Sequence, residues 1–232
     1  MALPARIYRN SSEIKQSIFI NIHGGAWAYG DHIYNALFHR YLAASNFTVI
    51  SIDFRHGPEY KHPSAFEDIE AAIEYSRTNA DAFGGDPERI GLSGDSSGGY
   101  LALYAGITTK QKIDSVLACW PVSDPAYRYA YAQRENRTRL VEAHEGYFES
   151  LENMQAASVQ QILDAGEWSQ LPRLLIVQSG EDLNVPVEMT AELVRAYKSA
   201  GGYLEYAFFP EVPHWFGNSP SPATDRFNAL GS

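Results

Sequence analysis

A chain of 232 residues that is 45% hydrophobic and 20% charged can bury a substantial core, which fits one globular domain over residues 1–232. Its formal net charge of -10 argues against nucleic acid or an anionic membrane surface as a partner and favours a small ligand. The single Cys119 excludes an internal disulfide, no run nears the roughly 18 apolar residues of a membrane span, and Met1-Ala2-Leu3-Pro4 lacks a basic-then-apolar leader, so a soluble cytoplasmic protein is expected.

In chain order, short apolar runs rich in Ile, Val and Phe alternate with helical spacing. Residues 17–22 read as a strand, 36–45 as a helix, 48–53 as a strand and 64–79 as a helix. Residues 90–93 read as a strand leading directly into a helix over 97–107, and 116–120 as a strand in which Cys119 is a buried, inert thiol. Residues 124–168 carry Tyr127, Tyr129, Tyr131, Arg134 and Arg137 with no β-run, and are read as a helical lid inserted over the strand ends. A strand at 174–179, a helix at 186–200 ended by Gly201-Gly202, and a strand at 204–209 complete the pattern. This alternation predicts an α/β fold with a mostly parallel, doubly wound sheet, which binds ligands at the carboxyl ends of its strands.

The loops after the strands carry the chemistry. His23-Gly24-Gly25-Ala26-Trp27 follows the first strong strand, and its small residues let backbone N–H groups converge on a developing oxyanion. Gly94-Asp95-Ser96-Ser97-Gly98 joins a strand to a helix, the setting of a nucleophile elbow, with Ser96 as nucleophile and the Ser97 amide as a further donor. A G-x-S-x-G alone recurs by chance, so its companions decide the reading.

A serine needs a base. Only His214 follows the last strand, in the chain order Ser, acid, His. His23 is assigned to positioning the oxyanion loop, and His32, His39, His56, His62 and His144 to surface or hydrogen-bonded loop roles. Asp182 follows the 174–179 strand and is placed to orient the imidazole, with neighbouring Glu181 as a competitor and Asp95 as a structural residue. Trp27, Tyr127, Tyr129 and Trp215 are candidate pocket walls.

Over 18–216 the chain resembles the hormone-sensitive-lipase-like family of α/β-hydrolase carboxylesterases. His23-Gly24-Gly25-Ala26-Trp27 is similar to that family's H-G-G-G oxyanion motif, and Asp53-Phe54-Arg55-His56-Gly57-Pro58-Glu59 to its D-Y-R-L-A-P-E segment. Asp86-Pro87-Glu88-Arg89-Ile90 resembles D-P-x-R-I, and Gly94-Asp95-Ser96-Ser97-Gly98-Gly99 resembles G-D-S-A-G-G. The resemblance implies that the amides of Gly25, Ala26 and Ser97 hold the oxyanion, with Gly24 giving the turn. Three departures stand out. Ala26 replaces a glycine but keeps its N–H. Few residues precede the oxyanion loop where the family has a helical cap, which implies a pocket that is more open or covered by 124–168. Asp182-Leu183-Asn184-Val185-Pro186 is nearer the pattern of small formamidases and feruloyl-type esterases.

The expected activity is hydrolysis of a small-molecule carboxylic ester of short to medium acyl chain through Ser96, His214 and Asp182, with no metal or organic cofactor. Lipase action on emulsified long chains is not expected. A kynurenine-type aryl formamidase is the second reading, with Arg134 or Arg137 meeting a substrate carboxylate. A non-catalytic binding protein on a hydrolase scaffold is a third, although all three triad members are present. A homodimer is left open.

Overall fold

Residues 3–230 are described in a computed structural model of the chain. The strands are β1 (Ala5–Tyr8), β2 (Gln16–Ile22), β3 (Phe47–Ile52), β4 (Gly85–Asp95), β5 (Ser115–Cys119), β6 (Arg173–Glu181) and β7 (Leu204–Pro213). They form one sheet in the order β1-β3-β2-β4-β5-β6-β7. Only β1 runs antiparallel to its neighbour; every other pairing is parallel.

The sheet is apolar on both faces, as a parallel sheet covered by helices must be. Successive side chains point to opposite faces, so single strands feed two cores. Ile18, Ile20 and Ile22 of β2, Val116 and Ala118 of β5, and Leu174 and Ile176 of β6 face one core. Leu117 and Cys119 of β5 and Val177 of β6 face the other. The first core is covered by α2 (Ser64–Thr78), α3 (Ser97–Thr108) and α8 (Val187–Ser199); the second by α1 (Ala36–Ala44) and α9 (Pro222–Ala229). Cys119 is fully enclosed, and burial pushes its thiol pKa well up, so it stays protonated.

Most predicted elements stand within a residue or two of their observed ends. β4 is longer because Gly85 and Asp86 already pair with Gln16 and Ser17 before a register shift, a tertiary pairing that 90–93 alone does not announce. β1 has no apolar signature, since its residues are mostly exposed at the antiparallel edge. α9 is started by Ser221, whose Oγ accepts from Thr224 N–H at 3.1 Å, with Pro222 in its first turn.

Between β5 and β6 lie α4 (Pro125–Arg134), α5 (Thr138–Phe148), α6 (Leu151–Ala156) and α7 (Val159–Ala165). Asp124, Ser150 and Ser158 cap α4, α6 and α7 by accepting from backbone N–H groups in their first turns. The insertion roofs the carboxyl ends of the strands: Trp27, after β2, stacks on Tyr147 of α5 at 5.6 Å, and Tyr131 of α4 donates to Leu183 O, after β6, at 3.3 Å. Among the described residues no helix is long and apolar enough to cross a membrane.

Leu92 is fully buried in β4 between both flanking strands. Leu92→Ala is expected to cost about 2–5 kcal/mol, read as a lowered urea midpoint at unchanged slope.

Candidate active site

β2 and β4 pair directly, Ile22 opposite Gly94, so the turns leaving them emerge side by side. β4 passes into α3 through Ser96 at φ 54, ψ -118. A non-glycine residue held there stores on the order of 1–3 kcal/mol of strain, which the surroundings must impose. They do so through hydrogen bonds: Ser96 N–H donates to Cys119 O at 2.9 Å, and Ser96 O accepts from Tyr100 and Val122 N–H at 3.0 and 3.1 Å. Gly98 has no substitute, because a Cβ would run into the carbonyl oxygens of Ile22 and His23. α3 can therefore start against the end of β2 only where it presents bare backbone.

The loop after β2 is bent by consecutive positive φ angles, 128° at Gly25, 52° at Ala26 and 60° at Trp27. It closes when Ala28 and Tyr29 N–H donate to Gly25 O at 3.0 and 3.2 Å. The bend leaves the N–H groups of Gly25 and Ala26, and that of Ser97 at the start of α3, without a backbone acceptor among the described residues. The positive end of the α3 dipole adds to the Ser97 donor. His23 is buried beneath this loop with Nδ1 2.7 Å from Gly24 O and its ring stacked on Phe54 at 4.5 Å. Burial lowers its pKa to about 4, so it stays neutral beneath the loop.

Asp95 ties the two turns together. Its Oδ1 accepts from Gly24 N–H at 3.2 Å and from Asn35 Nδ2 at 2.5 Å, while Oδ2 has no partner among the described residues. Burial raises its pKa to about 6, against which the hydrogen bonds from Asn35 and Gly24 act.

On the other side, Asp182 follows β6 and His214 follows β7, a parallel neighbour of β6. His214 Nδ1 lies 2.7 Å from Asp182 Oδ2. The carboxylate is held by Ser179 Oγ at 2.9 Å and by the Asn184 and Val185 N–H groups at 2.8 Å each. These donors aim the carboxylate at the imidazole, and the tautomer that donates Nδ1–H to it is the one that leaves a lone pair on Nε2. Glu181 is exposed at the end of β6; the carboxylate that meets His214 is that of Asp182. Trp120, which follows the Cys119 carbonyl holding Ser96, packs edge-on to the His214 ring at 6.2 Å and spans the two halves. Ser96 Oγ and His214 Nε2 form no hydrogen bond with each other among the described residues; such bonds are often long until substrate tightens the site.

The expected pocket walls sort differently. Trp27 is not a solvent-facing wall: its indole is fully buried against Tyr100, Tyr147 and Phe148, anchoring the oxyanion loop to the roof. Tyr127 lines a cleft of about 490 Å³ with Asp182 and Val187. Trp215 lines a cleft with His214 on the β7 side, at φ 67. Tyr129 instead donates to Glu145 Oε1 at 2.7 Å on the roof. Arg134 pairs with Glu135 at the surface at 3.0 Å.

His32 bonds Asp53 in a loop at 3.0 Å, but His39 and His144 are fully buried on α1 and α5, not in loops. Apolar faces of those helices carry them inward. Sequence reading passed over Ser179, signalled only by its place three residues before Asp182, and Arg128, which no motif marks.

A sheet wound in this order, with a strained serine at the corner after its central strand, defines the α/β-hydrolase class. A sequence-family profile described as alpha/beta hydrolase fold matches residues 19–218, and the chain belongs to this family, in its hormone-sensitive-lipase-like branch. The chain is 26% identical to esterase LipC of Mycobacterium tuberculosis over 86% of this chain and 53% of that protein. It is 34% identical to an arylesterase of Saccharolobus solfataricus over 63% of this chain and 46% of that one. It is 28% identical to arylacetamide deacetylase of Oryctolagus cuniculus over 90% and 58%. The chain thus spans about half the length of the curated relatives it matches. In structure it is similar to an esterase of Pyrobaculum calidifontis, TM-score 0.83 at 23% identity over 99% of this chain and 79% of that one. The acetyl ester-xyloside bifunctional hydrolase of Caldicellulosiruptor lactoaceticus gives 0.81 at 21% over 99% and 86%. At these identities the structural likeness speaks for the fold.

A carboxyl whose native pKa of about 6 exceeds its ordinary 3.8 binds its proton more tightly when folded. Its contribution is present below about pH 4 and lost as pH rises through about 6, a change on the order of 3 kcal/mol. The parent protein is expected to lose Tm between about pH 4 and about pH 6.5, and Asp95→Asn, which keeps an acceptor for Gly24 and Asn35, is expected to flatten that fall.

Proposed function

We propose that the protein hydrolyses carboxylic esters of short to medium acyl chain by two-step acyl transfer. Ser96 Oγ attacks the carbonyl carbon while His214 Nε2 takes its proton, and the amides of Gly25, Ala26 and Ser97 receive the oxyanion. The C–O bond to the alcohol breaks as His214 returns that proton to the leaving oxygen. Water, deprotonated by His214, then attacks the acyl carbon; the C–Oγ bond breaks, His214 returns the proton to Ser96 Oγ, and the carboxylic acid leaves. Asp182 orients His214 and stabilises the imidazolium formed in each half-reaction.

The observation that carries this reading is the His214–Asp182 bond at 2.7 Å, made on the same strand ends as a strained Ser96 flanked by uncommitted amides. Relatives named esterase and arylesterase support ester chemistry, and arylacetamide deacetylase supports small acyl groups on aromatic partners. The α4–α7 roof is short and mixed in polarity, which suits soluble esters better than emulsified fat.

Initial rates on p-nitrophenyl esters from acetate to palmitate are expected to peak between two and eight acyl carbons, and Ser96→Ala is expected to remove them. Asp182→Asn should lower kcat by about a thousandfold to ten-thousandfold by disturbing the imidazole tautomer. A fluorophosphonate is expected to label Ser96, read by mass spectrometry. No Ser96-dependent rate on any ester, with labelling intact, would move the assignment to formamides.

A further inference from the structure

Arg128, on the inner side of α4, is fully buried, and none of its guanidinium nitrogens has a hydrogen-bond acceptor among the described residues. The guanidinium lies 5.5 Å from the centre of the Trp27 ring. Elsewhere the chain spends its arginines differently: Arg55 is bonded to Asp68, Arg89 to Asp86 and Arg195 to Asp164. Acidic residues outnumber basic ones 28 to 18, yet no carboxylate bonds Arg128. A cation over an indole face recovers only part of the hydration lost on burial, and an aliphatic residue would pack against Trp27 without that loss. A planar set of buried, unused donors suits a carboxylate.

Its position ties it to the chemistry. Trp27 directly follows Ala26 in the oxyanion loop, and Tyr131, one turn beyond Arg128 on α4, donates to Leu183 O beside Asp182. α4 thus sets the guanidinium over the anchor of the oxyanion loop and reaches the acid loop one turn further on. His144, 5.1 Å from Trp27, completes the cluster, and burial with Arg128 nearby lowers its pKa to about 3, so it adds no second charge. The seam where α5 meets the turn at residues 28–29 opens outside as a cleft of about 530 Å³, lined by Tyr29, Pro58, Arg139, Glu142 and Ala143. Tyr29 of this cleft lies two residues beyond Trp27, and its Ala143 directly precedes His144.

We infer that Arg128 is a carboxylate-recognition residue, and that the substrates of this site are esters carrying a carboxylate a short distance from the scissile bond. This rests on the ester-hydrolysis reading and narrows it to a substrate class. The ligand's carboxylate supplies the acceptors that the protein leaves out.

The test compares isosteric pairs with one charge difference: monomethyl glutarate against methyl glutaramate, with the charge on the acyl side, and 4-acetoxybenzoate against 4-acetoxybenzamide, with it on the alcohol side. The parent protein is expected to favour the carboxylate of at least one pair by about tenfold or more in kcat/KM, the scale of a charge-assisted bond. Arg128→Gln should bring that ratio close to one, and Arg128→Lys should restore part of it. Parent ratios at or below one for both pairs, or a ratio that survives in Arg128→Gln, would overturn the inference. If no ester turns over, the ester-hydrolysis reading fails by itself and thermal stabilisation by glutarate decides the site. A glutarate-dependent rise in Tm that Arg128→Gln abolishes upholds it, and no rise in the parent protein overturns it.

Discussion

The site depends on one close approach, that of α3 to the end of β2. Gly98 lets the first turn of the helix touch the Ile22 and His23 carbonyls, and this contact sets the distance between the nucleophile corner and the oxyanion loop. Because β2 and β4 are parallel neighbours their ends lie side by side, but only bare backbone can make the approach. Asp95 then locks the two turns with a single oxygen, accepting from the Gly24 amide and from Asn35. The strained φ of Ser96 is the consequence: hydrogen bonds from β5 and α3 over-determine a corner that the residue alone would avoid.

The second half of the site is held by different means. Asp182 is fixed by a hydroxyl and two amides of its own turn, and its remaining direction is toward His214. Trp120 spans both halves, since it follows the carbonyl that holds Ser96 and lies against the imidazole. The roof completes the assembly through Trp27, whose indole sits in a nest of aromatic rings from α3 and α5. The loop whose amides are proposed to receive the oxyanion is thereby anchored by a large buried side chain beside it, the kind of support that preorganised donors need.

Much of the fold was legible because the strands are short apolar runs and most of the helices have a polar face. The strands at 17–22, 116–120 and 174–179 stand where they were expected. α3 fits the helical pattern for another reason: it is apolar almost all round, being buried between sheet and roof. β1 was missed because four largely exposed residues at an antiparallel edge carry no period, and α9 because a short helix at a core edge shows only a cap. Among side chains, Ser96, Asp182 and His214 were marked by position after strands. Trp27 was misjudged as a wall because neighbourhood in sequence to an oxyanion loop says nothing about which way an indole turns.

What the sequence by itself determined was the family and the order of the parts of the candidate site: a Gly-flanked serine at a strand-to-helix corner, a small-residue loop before it, and an acid and a histidine after it. Those features are local, because turn geometry and strand periodicity are decided by neighbouring residues. Tertiary structure alone decided the burial of His39 and His144 and the isolation of Arg128 beneath the roof. Each of these turns on which groups from distant segments share a space, and on which polar groups burial leaves without water, and no local pattern encodes that.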